Sequence, residues 1–114
     1  MRNDKPNIIV DLSFQFALDI IAFCELLEEN RKYIIAKQLL KSGTSIGANV
    51  RESQNAESKA DFVHKLKIAA KEADETEYWL LLCKHSHNYP TNEKLIEKNL
   101  HIIKVLSKII SSSK

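Results

Sequence analysis

Apolar side chains return along this chain every three or four residues, the spacing that gathers them on one side of an α-helix. Four stretches carry the pattern. The first, over residues 13–29, is apolar on almost every side: Phe14, Phe16, Ala17, Leu18, Ile20, Ile21, Phe23, Cys24, Leu26 and Leu27 leave little of its circumference polar. Asp11 or Ser13 would cap it, and it would end near Asn30. A surface helix normally shows one apolar stripe, so a helix this apolar is expected to be covered on more than one side. In a chain of 114 residues the extra cover would be a neighbouring subunit.

The second helix is predicted over residues 32–54, where Ile35, Ala36, Leu39, Leu40, Gly43, Ile46, Gly47 and Val50 hold the period through both glycines without a break. A polar connector, SQNAES, follows, and Ser58 at its edge is placed to cap the third helix. That helix, over residues 59–87, contains neither Gly nor Pro; Phe62, Leu66, Ala69, Ala73, Thr76, Leu80 and Cys83 form its seam. Asn88, Tyr89 and Pro90 stop it, because proline cannot donate to the helical ladder. Thr91 or Asn92 then caps a fourth helix over residues 92–110, which carries the apolar Leu95, Ile96, Leu100, Ile103, Leu106 and Ile110, with SSSK as a frayed tail. Four amphipathic helices with short connectors make an all-α fold, an antiparallel up-down-up-down four-helix bundle in a single domain over residues 1–114 with short disordered tails.

Composition adds little to that picture and removes several function classes. Two Gly and two Pro in the whole length are too few for a fold built on turns. The apolar stretch around residues 14–27 is broken by Asp19 and Glu25 and is too short to span a bilayer, and the N-terminus has no signal-peptide run, so a cytoplasmic protein is expected. Cys24 and Cys83 share no metal-type spacing; one bridge between them is allowed by count, while buried free thiols fit a reducing compartment. The net charge of +2 does not by itself imply a polyanionic partner, but the balance is uneven: of the 17 Lys and Arg and the 15 Asp and Glu, five lysines and only two glutamates lie beyond residue 89.

Candidate chemistry is sparse. Gly43 and Gly47 are one residue too close for a phosphate loop, no Lys follows Gly47, and no strand precedes, so their spacing reads as clearance for a second helix. Ser45, Asn49 and Glu52 share one face of the second helix, and Glu72, Glu75 (or Thr76) and Trp79 one face of the third. That polar stripe is either a solvated face or an interhelical network in which the Asn49 amide meets the Glu72 carboxylate. No metal or other cofactor is expected: Asp61 and His64 give one incomplete ligand pair, and His85 and His87 point to different sides of a helix. No nucleophile can be paired with a base, so neither enzyme activity nor a small-molecule substrate is expected. On the fourth helix, Lys94, Lys98, His101, Lys104 and Lys108 fall within about a third of the circumference. They are either a solvated face or, repeated around a ring of subunits, a positive band for nucleic-acid phosphates.

The stretch from Ser45-Ile46-x-Ala48-Asn49-Val50 and Glu52, through Asp61-Phe62, to Ile68-Ala69 and Lys71-Glu72-Ala73-x-Glu75-Thr76 resembles the four-helix-bundle family of intervening-sequence proteins, named for reading frames inserted in bacterial 23S ribosomal RNA genes. The resemblance covers essentially the whole chain, with its specific part in the middle. It implies a left-handed bundle, assembly as a homopentamer, and no enzymatic activity. The family is similar to the accessory proteins of diversity-generating retroelements, which bind nucleic acid through a basic surface and contact a reverse transcriptase; the resemblance thus implies RNA or a nucleoprotein as partner. Ser45, Asn49, Glu52 and Glu72 are the matching motif positions, with helix packing as their implied role. Where many members carry Glu-Gly, this chain has Glu52-Ser53, so the second helix is expected to run further before its turn.

Overall fold

Four helices account for nearly all of residues 7–113, the part that the computed structural model describes: α1 Ile8–Glu29, α2 Tyr33–Ser53, α3 Lys59–His85 and α4 Glu93–Ser112. Each packs on its neighbours in sequence and α4 closes back on α1, while the backbones of diagonal helices stay apart across the shared core. Cross-helix partners run in opposite senses: Ser42 and Glu52 of α2 meet Thr76 and Lys65 of α3. The bundle is therefore antiparallel, up-down-up-down, and forms a rod of 45 × 21 × 21 Å.

One seam per helix fills the core. Ile9, Phe16, Ile20, Phe23 and Leu27 of α1 meet Leu39, Ile46 and Val50 of α2, Leu66, Ala69, Ala73 and Leu80 of α3, and Leu95, Ile102 and Leu106 of α4. Burying each large member contributes about 1.5–3 kcal/mol, which makes these rows the main source of stability. Gly43 and Gly47 sit in the middle of α2 at ordinary helical φ. A Cβ on Gly43 would lie 2.9 Å from two carbons of Ile20, and one on Gly47 would lie 3.2 Å from the Ser13 carbonyl oxygen. The glycines are thus what lets α1 and α2 approach closely.

The ends of the helices differ from the sequence expectation in three places. α1 starts at Ile8, well before residue 13, and neither Asp11 nor Ser13 caps it. Asn7 precedes the helix and makes no side-chain cap bond; its amide instead donates to Gln54 Oε1 at 2.7 Å, so the start is tied to the end of α2. Ser13 is buried, its hydroxyl on Val10 O. α3 stops at His85, where Ser86 turns to extended backbone (φ −85°, ψ 142°), and Asn88 at a φ of 62° then redirects the chain ahead of Pro90. The C-terminal serines do not fray: Ser111 and Ser112 continue α4, with Ser112 Oγ on Lys108 O at 2.6 Å and Ser113 Oγ on Ile109 O at 2.7 Å satisfying the end carbonyls. The expected caps of α3 and α4 form: Ser58 Oγ accepts from Asp61 N, and Asn92 Oδ1 from Leu95 N. Of the expected tails, residues 1–6 and 114 lie outside the described part. Ser53 is the last residue of α2, buried with its hydroxyl on Val50 O.

Candidate functional site

The polar stripe on α2 resolves into two bonds within its own helix and one ion pair to α3. Ser45 Oγ donates to Lys41 O at 2.6 Å, Asn49 Nδ2 to Ser45 O at 2.9 Å, and Glu52 pairs with Lys65 at 3.1 Å. The Asn49–Glu72 hydrogen bond does not form; the Asn49 amide donates to Ser45 O of its own helix. Besides the surface Glu52–Lys65 pair, a buried polar contact crosses between α2 and α3: Thr76 Oγ1 is 2.9 Å from Ser42 Oγ and 2.7 Å from Glu72 O, with both hydroxyl residues fully buried. These side chains are short enough to reach each other at the centre of the seam, where Asn and Glu would be too long.

Glu72 is half-buried and has no ion-pair partner among the described residues. Loss of solvent holds its carboxyl above the usual range; repulsion from Glu75, whose carboxylate accepts from the Trp79 indole at 3.1 Å, adds to this, and Lys41 opposes it. A folded-state pKa raised above the unfolded one makes the ionised form a net cost at neutral pH, and that cost disappears below the unfolded range. Glu72→Gln is accordingly expected to raise the urea midpoint at pH 7 and to leave it unchanged near about pH 3, where the native side chain is protonated in both states. An identical midpoint at both pH values would contradict this account.

A further buried polar residue was hidden in an apolar register. Asn99 of α4 is fully buried, donates from Nδ2 to Ala73 O of α3 at 2.9 Å, and leaves Oδ1 without a partner. It follows Leu95 by four residues and precedes Ile102 by three, so the seam itself was the signal. Two further buried groups, Cys24 and Cys83, are free thiols. Burial, with a contribution from Glu28, pushes Cys24 up to about 12, and burial pushes Cys83 up to about 11, so neither supplies a thiolate at neutral pH.

Two surfaces remain with unsatisfied character. On α4, Lys94, His101, Lys104 and Lys108 are exposed and have no carboxylate partner among the described residues. Lys98 differs: it pairs with Asp19 of α1 at 2.6 Å, and Glu97 stands exposed within the same stripe. The cationic face is therefore narrower than the sequence spacing implies. On α1, Phe14, Leu18 and Ile21 are 56%, 47% and 42% exposed, an apolar row on the side away from the core. Along the other flank of α1, beside α4, runs the most open seam of the bundle, with two hollows of about 250 Å³ and 350 Å³ on either side of the Asp19–Lys98 pair. Among the described residues no helix is long and apolar enough to cross a membrane, and no three His, Cys, Asp or Glu side chains gather as metal ligands.

Comparison with known proteins bears on these surfaces. Residues 5–112 match the family described as 23S rRNA-intervening sequence protein. The fold is similar to the crystal structure of a protein of unknown function from the S23 ribosomal protein family of Bacteroides thetaiotaomicron, with 45% sequence identity, 90% of this chain and 97% of that chain covered, and a TM-score of 0.82. Comparison with curated proteins gives no match.

Proposed function

Because the chain belongs to the 23S rRNA-intervening sequence protein family, we propose that it is a non-enzymatic homo-oligomer, a ring of five copies, that binds structured RNA through the basic surface of α4. The observation that carries this is the row Phe14, Leu18 and Ile21, because a monomer would leave these three side chains in water, each about half exposed. A ring repeats Lys104 and Lys108 once per copy and so sums modest single-chain charge into a band that phosphates feel. The protein would work in the cytoplasm, where its two thiols stay reduced. RNA within a nucleoprotein, such as one holding a reverse transcriptase, offers the same phosphates.

Filter binding of a structured RNA at rising salt tests the proposal. Affinity is expected to fall steeply between about 50 and 200 mM salt, as counterion release requires. Lys104→Ala/Lys108→Ala should weaken binding at least about tenfold and flatten the salt slope. RNA affinity that is absent, or unchanged in that variant, would leave a protein–protein scaffold as the better account. A wild-type chain that sediments as a monomer at micromolar concentration would remove the oligomer itself.

A further inference from the structure

The apolar row on α1 and the open seam between α1 and α4 lie on different sides of the same helix, and they match each other. The row reads Phe14, Leu18, Ile21 at helical spacing, followed one turn later by the exposed Glu25. The seam contains two hollows rather than one. The upper is walled by Leu12, Phe16 and Ile102, with Gln15 at its rim. The lower is walled by Ala22, Phe23 and Leu95, with Lys94 at its rim. The Asp19–Lys98 ion pair separates them.

Height along the rod decides what fits. Rotation about an axis parallel to the bundle keeps every residue at its own height. A neighbouring copy so placed brings its Phe14 to the level of residues 12–16, where the upper hollow lies, and its Ile21 to the level of residues 19–23, where the lower one lies. The two knobs are about 10 Å apart along the helix, seven residues at 1.5 Å each, and the hollows are lined by α1 residues 12–16 and 19–26, one beyond the other along the same helix. Leu18 falls between them, over the Asp19–Lys98 pair. Glu25 arrives at the level of Leu26 and Lys94, and neither Glu25 nor Lys94 has an ion-pair partner of its own among the described residues.

The geometry points to a head-to-tail interface in which the Phe14–Leu18–Ile21 row of one copy seats in the α1–α4 seam of the next, with Glu25 of the first against Lys94 of the second. This arrangement rests on the homo-oligomer proposed above and specifies its faces. Two different surfaces meet, so an open assembly of any length keeps one free row at one end and one free seam at the other until a ring closes. It also divides the cations of α4: Lys94 belongs to the protein interface, and Lys104 and Lys108, which line neither hollow, stay outside for phosphate.

The test is a complementation experiment by sedimentation velocity, with circular dichroism confirming helicity. Phe14→Glu/Ile21→Glu disables the row and Ala22→Arg fills the lower hollow; all three positions are exposed, so folding is not at stake. Each variant alone is expected to lose the wild-type oligomer. Mixed, they should form a species of twice the 13.1 kDa monomer mass and no larger, because each brings one intact face. Separately, Glu25→Lys and Lys94→Glu should each weaken assembly by about tenfold, with the double swap recovering most of it. A mixture that stays monomeric, an Ala22→Arg variant that still assembles, or a double swap no better than its singles overturns the inference while leaving an oligomer standing. Wild-type protein that is monomeric removes both.

Discussion

Gly43→Leu is expected to abolish the native bundle at 37 °C, and Gly43→Ala to lower its stability by about 1–2 kcal/mol. In most helices the alanine change would be favourable, since Ala exceeds Gly in helix propensity by about 1 kcal/mol. Here the added Cβ would come within 2.9 Å of both γ carbons of Ile20, which is fully buried and, being β-branched, restricted to essentially one rotamer in a helix. Overpacking of this kind costs about 1–3 kcal/mol and grows with each further carbon. A urea-unfolding cycle with Ile20→Ala, which removes all three clashing carbons, isolates the cause. The double variant should be more stable than the sum of its singles by about 1 kcal/mol or more. Strict additivity would show that the glycine serves something other than clearance. The same change at Gly47 meets a single oxygen at 3.2 Å, so strain and propensity should nearly offset each other there.

Asn99→Asp is expected to cost several kcal/mol at pH 7, and Asn99→Leu to be neutral or to stabilise by about 1 kcal/mol. The two changes act on one buried position whose Oδ1 already lacks a partner. The carboxylate would lie against the Ala73 carbonyl, to which the native amide donates, so burial and repulsion both raise its folded-state pKa. The sign follows: the deficit is full above that raised pKa and closes as pH falls toward the unfolded value of about 3.9, where a protonated carboxyl can again donate. Urea midpoints measured between about pH 4 and pH 8 should therefore converge with wild type on the acid side. A deficit independent of pH would mean that the site admits enough water to hold the charge. Leucine removes the orphaned acceptor and fills similar space, so its expected sign is opposite.

The sequence carried the fold wherever the relevant chemistry was local. Ser58 and Asn92 were legible as caps because the bond each makes is to a backbone N–H three residues on. The period of α2 survived two glycines because helical register depends on spacing and not on side-chain size. What escaped was set by distant partners. The start of α1 was read too late because Asn7 bonds Gln54, which no local cap pattern reveals. Asn99 was passed over because a polar residue within an apolar seam resembles a surface position until its neighbours at Leu95 and Ile102 are counted with it. Ser45, Asn49, Glu52 and Glu72 share the faces that their spacing implies, yet spacing carries no depth, and the buried crossing fell to Ser42 and Thr76. The stripe on α4 lost Lys98 to Asp19, a residue 79 positions away in sequence.

The openness of the α1–α4 seam also bears on the order in which the chain assembles. The other three seams join helices adjacent in sequence, so each closes as a local hairpin at small entropic cost. The fourth brings the two ends of the chain together and has the fewest packed side chains to reward its closure. α1, α2 and α3 are thus placed to settle first, with α4 docking last and leaving first. The surface that a neighbouring copy would occupy is the least cooperative part of the molecule, and occupying it would fasten the terminal helix in place.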